Sequence, residues 1–150
     1  MVVRVQHEDF DTGAEVDAFS KGNGRVGGVC TFVGLVRDTA GSGQSVGAMT
    51  LEHYPGMTER QLEAIEAEAR RRWPLEDALI IHRYGRLEAG ERIVLVATAS
   101  AHREAAFQSC NFLMDWLKTK APFWKVEHTT TGDAWVESKD SDDHLAARWD

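Results

Sequence analysis

A chain of 150 residues, 43% hydrophobic and 27% charged, is long enough to bury a core without covalent staples and too apolar to stay disordered. Its formal net charge of -7 argues against indiscriminate nucleic-acid binding, which needs a broad basic surface, and makes the placement of its 17 Lys and Arg residues more telling than their number. With no run of roughly 18 apolar residues and no leader-like N-terminus, a single cytoplasmic domain over residues 1–150 without a membrane segment is expected.

Residues 2–5 form a β-branched run and predict a strand. Thr12, with Glu15 three positions on, marks a helix start; Val16 and Phe19 would face inward and Gly22-Asn23-Gly24 would end the turn. Residues 26–36 and 46–54 read as two strands linked by a glycine-bearing loop at 38–45, and their adjacency suggests an antiparallel pair. A helix starts at Thr58, with Gln61 completing a capping box and Met57 and Leu62 a hydrophobic staple. Leu62, Ile65 and Ala69 supply its apolar face, Arg70, Arg71 and Arg72 complement its dipole, and Pro74 prevents its continuation. Two further strands are expected at 78–84 and 92–99, joined by a turn over 87–91. A second long helix, about 101–118, carries Ala106, Cys110, Leu113 and Leu117 on one line and Phe107, Met114 and Lys118 on the next, with Pro122 beyond it. Residues 124–130 and 135–136 complete the strands, and the acidic end, 138–150, is expected to be peripheral. Strands and helices mix without a βαβ rhythm, which predicts an α+β fold with a largely antiparallel sheet and two main helices.

Cys30 and Cys110 lie 80 positions apart among apolar neighbours, so they read as core thiols rather than a redox or zinc motif. His53 and His82 sit inside strand patterns without a third ligand at useful spacing, so no metal and no cofactor is expected. The local charge reverses between His102 and Lys125, where Arg103, Lys118, Lys120 and Lys125 face only Glu104 and Asp115. Such a reversal suits an anion site, and solvated helix ends produce it equally well. Ser100-Ala101-His102-Arg103 stands where a strand hands over to a helix, so free N–H groups lie beside an imidazole and a guanidinium; Ser100 as a simple cap is the competing reading. Lys118 falls at the border of the apolar stripe and is expected to be partly buried, either as a tuned amine or as a snorkelling side chain. Lys125 and Glu127 share one face of a strand, as a binding pair or as an exposed charge pair.

Four blocks then resemble the large, catalytic subunit of molybdopterin synthase, the MoaE family, in order and spacing. They are Phe32-Val33-Gly34-Leu35-Val36-Arg37, Leu51-Glu52-His53-Tyr54-Pro55-Gly56-Met57-Thr58-Glu59, Ser100-Ala101-His102-Arg103, and Leu117-Lys118-Thr119-Lys120-Ala121-Pro122-Phe123-Trp124-Lys125. The resemblance implies an α/β hammerhead fold and a homodimer that binds two small ubiquitin-like sulfur-carrier subunits as a heterotetramer. It implies a sulfurtransferase acting on cyclic pyranopterin monophosphate, fed by a C-terminal thiocarboxylate. Carried onto this chain, the substrate-contacting positions are Leu35, Val36, Arg37, His102, Arg103, Lys118, Lys125, Val126 and Glu127, with Lys118 and Lys125 catalytic and Arg37, His102 and Arg103 holding phosphate and pterin. Lys139 stands where relatives often carry Arg, and lysine cannot reproduce a bidentate guanidinium contact. Two rival classes remain beside this one: a non-catalytic module that binds a ubiquitin-like tail, and a phosphate-ligand hydrolase using His102.

Overall fold

A computed structural model describes residues 2–136 and 140–150; residues 137–139, and Lys139 with them, lie outside the described residues. The described residues form an α+β fold of two four-stranded sheets and four helices. The first sheet runs β1 (Val2–Gln6), β4 (Leu75–Arg83), β6 (Arg92–Ser100), β2 (Gly28–Leu35). Only β1 and β4 pair in parallel there. The second sheet is antiparallel throughout, in the order β5 (Gly85–Glu88), β3 (Val46–His53), β7 (Phe123–Thr129), β8 (Gly132–Val136).

The central strands β4 and β6 are apolar on both faces because both faces are covered. Ile80, Val94 and Val96 pack against Leu62, Ile65 and Ala69 of α2 (Met57–Arg72) and Cys110, Leu113 and Leu117 of α3 (Arg103–Lys120). Leu79, Ile81, Leu95 and Ala97 face the other way, onto Phe10 and Phe19, the latter from α1 (Thr12–Ser20). A smaller core of Val36, Leu51 and Leu87 joins the two sheets. No helix among the described residues is long and apolar enough to cross a membrane.

Several local expectations change. Strands β2 and β3 do not pair: β2 joins β6 and β3 joins β5 and β7, because burial against α3 outweighs nearness in sequence. Leu87 and Glu88 belong to strand β5 rather than to a turn. Asp11, not Thr12, caps α1, its carboxylate accepting from Ala14 N–H at 3.0 Å. The second helix begins at Met57 and is capped by Gly56, whose φ of 84° favours glycine; the Glu59 carboxylate accepts from Gly56 N–H at 2.5 Å, in place of the expected Thr58–Gln61 box. Ser100 stays in β6 and donates to the Pro74 carbonyl at 2.9 Å, so α3 starts after His102.

The acidic end, expected at the periphery, contributes α4 (Asp140–Ala147), whose Ala146 is buried. Asp115 of α3, also buried, accepts from Arg148 at 2.8 Å and from Trp149 Nε1 at 2.6 Å, while Trp149 packs against Trp73 and Phe112.

Candidate active site

Strand β2 ends by dividing its side chains. Val36 enters the small core, its N–H donating to the Glu91 carbonyl at 2.9 Å and its own carbonyl accepting from Gly90 at 2.8 Å. Leu35 and Arg37, on either side, are left exposed, as alternation along an extended chain requires. Strand β7 does the same: Lys125 pairs across to Leu51 and Val136, and Glu127 to Met49 and Ala134, so both share one face while Trp124 and Val126 take the other. The last turn of α3 adds Lys118, which is exposed rather than partly buried as expected, beside buried Leu117.

Where these three endings meet, a cleft of about 490 Å³ is lined by Leu35, Arg37, Lys118, Phe123, Lys125 and Glu127, among others. An adjoining hollow of about 340 Å³ shares Arg37, Lys118 and Lys125 and reaches Phe32 and His82. Three cations thus converge around Glu127 in an acidic protein, and among the described residues only Asp142 adds a second carboxylate to the lining. Such an arrangement holds an anionic ligand larger than a single ion.

His82 forms part of the floor. Burial pushes its pKa down to about 3, with Lys125 and Lys118 adding to the effect against the hydrogen bond from Nδ1 to the Arg83 carbonyl at 2.8 Å. A carbonyl only accepts, so Nδ1 carries the proton and the ring is neutral. It stacks on Phe123 at 3.7 Å and 16°, giving the lysines a rigid, uncharged base. Read from sequence, His82 is weighed only as a metal ligand and Phe123 has no role at the site; a lone His after an apolar run and a Phe two positions before Lys125 were the available signals.

The remaining predicted residues lie elsewhere. His102 and Arg103 are exposed at the start of α3, and the 15 residues from Arg103 to Lys118 span about 22 Å of helix, so within one copy they do not reach the cleft. Val36 is core, and the Val126 side chain points away from Lys125. Neither cysteine lines the cleft: Cys110 is buried, burial and the neighbouring Cys30 push its thiol up, and Cys30 packs against the same core. Among the described residues, no three His, Cys, Asp or Glu side chains are grouped to hold a metal.

Comparison with known proteins agrees with this architecture. The family model described as MoaE protein matches residues 5–120. The molybdopterin synthase catalytic subunit of Pseudomonas aeruginosa is 56% identical over 150 residues, covering 100% of this chain and 99% of that protein. The solved molybdopterin biosynthesis MoaE protein of Burkholderia ambifaria superposes with a TM-score of 0.84 at 53% identity, covering 99% and 97% of the two chains. A chain in the Helicobacter pylori complex of subunits 1 and 2 of molybdopterin-converting factor shares the fold at a TM-score of 0.75 and 18% identity, covering 93% of this chain and 92% of that one. Family model, full-length relatives and shared fold agree: the chain belongs to the MoaE family.

Proposed function

We propose that this chain is the catalytic half of a two-component sulfurtransferase of molybdenum cofactor biosynthesis. It converts cyclic pyranopterin monophosphate to molybdopterin with sulfur from the thiocarboxylated C-terminus of a small ubiquitin-like subunit. One observation carries the reading: Arg37, Lys118 and Lys125 converge on a cleft that has no thiol of its own. Sulfur that arrives already activated on a partner needs cations to gather two anions and a group that moves protons. Names of full-length relatives and the two-subunit Helicobacter pylori complex support the activity and the partner.

In this reading Lys118 Nζ donates a proton to the oxygen that leaves the pterin, and Lys125 holds the thiocarboxylate against it. Arg37 and the backbone beside Leu35 orient the phosphate and pterin, with Glu127 accepting from the heterocycle. His102 and Arg103 hold phosphate as well, and because they stand about 22 Å along α3 from Lys118, they serve the cleft of a second copy. The assembly is then a homodimer carrying a small subunit on each copy, a heterotetramer in the cytoplasm.

The test incubates the purified chain with cyclic pyranopterin monophosphate and thiocarboxylated small subunit and assays dithiolene product. Conversion that depends on the loaded partner and falls with Lys118→Ala and Lys125→Ala is expected. Partner capture without conversion would instead indicate a binding module, and turnover without the sulfur carrier a hydrolase.

A further inference from the structure

The outer cleft and the hollow adjoining it share Arg37, Lys118 and Lys125 but differ in what else they offer a ligand. The outer cleft carries the carboxylate acceptors Glu127 and Asp142. In the hollow the three cations stand among apolar side chains, Phe32, Val94 and Leu117 included, with His82 as the exception. Lysine and arginine only donate, so His82 holds the one side-chain acceptor among the described residues that line the hollow.

The fold fixes that acceptor. His82 lies on β4 between Val5 of β1 and Val94 of β6, and it is 3% exposed. Its Nδ1 donates to the Arg83 carbonyl at 2.8 Å, which leaves the lone pair on Nε2 as the group the ring can offer a ligand. Phe123 covers one ring face at 3.7 Å and 16°, so turning the ring over would break the bond to Arg83 and disturb the stack. Charge explains why a histidine serves here. A carboxylate in the hollow would pair with the cations and cancel the field that gathers an anion. An imidazole held neutral by burial, and by the nearby Lys125 and Lys118, accepts a hydrogen bond without weakening that field.

We propose that His82 is a specificity-determining residue, its Nε2 accepting a hydrogen bond from an N–H of the pterin in the hollow as Glu127 does in the outer cleft. The inference rests on the substrate reading given above. It adds a means of selection: an anion without a donor meets only the cations, whereas a heterocycle lacking that N–H leaves a buried acceptor unpaired and is rejected.

The test compares wild type, His82→Phe and His82→Gln as full chains with thiocarboxylated small subunit. Phenylalanine keeps a ring against Phe123 and removes the acceptor; glutamine restores an acceptor oxygen without charge. His82→Phe should raise KM for cyclic pyranopterin monophosphate about tenfold with kcat within about twofold, and His82→Gln should recover most of that loss. Inhibition by sulfate, an anion without a donor, should be the same in all three. Nitrogen NMR of isotope-labelled wild type gives a reading that needs no variant to fold: the Nε2 resonance should move upfield on adding the pterin phosphate and stay in place with sulfate. A wild type that converts the pterin while His82→Phe keeps its KM, or an Nε2 resonance that the pterin leaves unmoved, overturns the role of His82 and leaves the activity standing. A wild type that converts nothing with the loaded partner overturns the activity and this inference together.

Discussion

The two ends of α3 are both basic, yet their surroundings differ. At the C-terminal end Lys118 meets Arg37 and Lys125 over the Phe123–His82 stack, inside a cleft built from three elements. At the N-terminal end His102 and Arg103 stand in solvent above Gly27 and Gly28, outside the lining of that cleft. One end lines a cleft, and the other is proposed to complete one. Under the proposed function a single helix carries both halves of a cation set that its own length keeps apart, and the functional unit is then larger than the chain.

The largest break in that comparison is expected at the C-terminal end. Lys118→Ala should lower turnover with loaded small subunit on the order of a hundredfold while the urea midpoint stays put, because the removed amine is exposed and, in the proposed mechanism, acts on a proton in flight. Acid probes the floor beneath it. His82 is depressed to about 3 from an ordinary 6.5, so the unfolded chain takes up the proton first. The imidazole's contribution is whole above pH 6.5 and is lost progressively toward pH 3, at about 1.4 kcal/mol per pH unit. Urea unfolding at pH 7, 5.5 and 4.5 should show this slope, and His82→Gln should flatten it.

At the N-terminal end a Cβ on Gly27 would lie 2.0 Å from the Ala101 carbonyl oxygen, a backbone atom that cannot step aside. Gly27→Ala should cost about 1–3 kcal/mol by thermal or urea unfolding and displace the His102–Arg103 turn. Gly28→Ala, meeting nothing nearer than 3.8 Å, is the matched control for stability. Arg103→Ala should raise KM for the pterin about tenfold through loss of one charged hydrogen bond. Mixing it with Lys118→Ala should restore about a quarter of wild-type activity if each site draws on both copies of a dimer. Smallest of all is Lys120→Ala: its ammonium lies 4.3 Å over the Trp116 ring, outside the cleft lining, so the loss should be about 0.5 kcal/mol of stability with turnover unchanged.

Much of this was legible beforehand where periodicity speaks. The i, i+3, i+4 stripes of Leu62, Ile65 and Ala69 and of Ala106, Cys110, Leu113 and Leu117 mark α2 and α3 without ambiguity. Two-residue alternation is enough to put Lys125 and Glu127 on one face of β7. Cap positions were not so readable, since Asp11 and Thr12, or Ser100 and His102, lie only one or two residues apart and the surrounding packing decides between them. The partners of β2 and the role of His82 were hidden for a related reason: both follow from burial against elements far along the chain.

Composition, periodicity and four short blocks thus determined the elements, the mixed class and the family, because these depend on neighbours within a few residues or on a pattern carried whole by the chain. Tertiary structure alone decided which strands share a sheet, that Arg37, Lys118 and Lys125 meet while His102 and Arg103 do not, and that β2 is left bare. The reason is physical: a strand's partner and a side chain's surroundings are set by where apolar surface can be buried across the whole fold, and no local window of sequence contains that information.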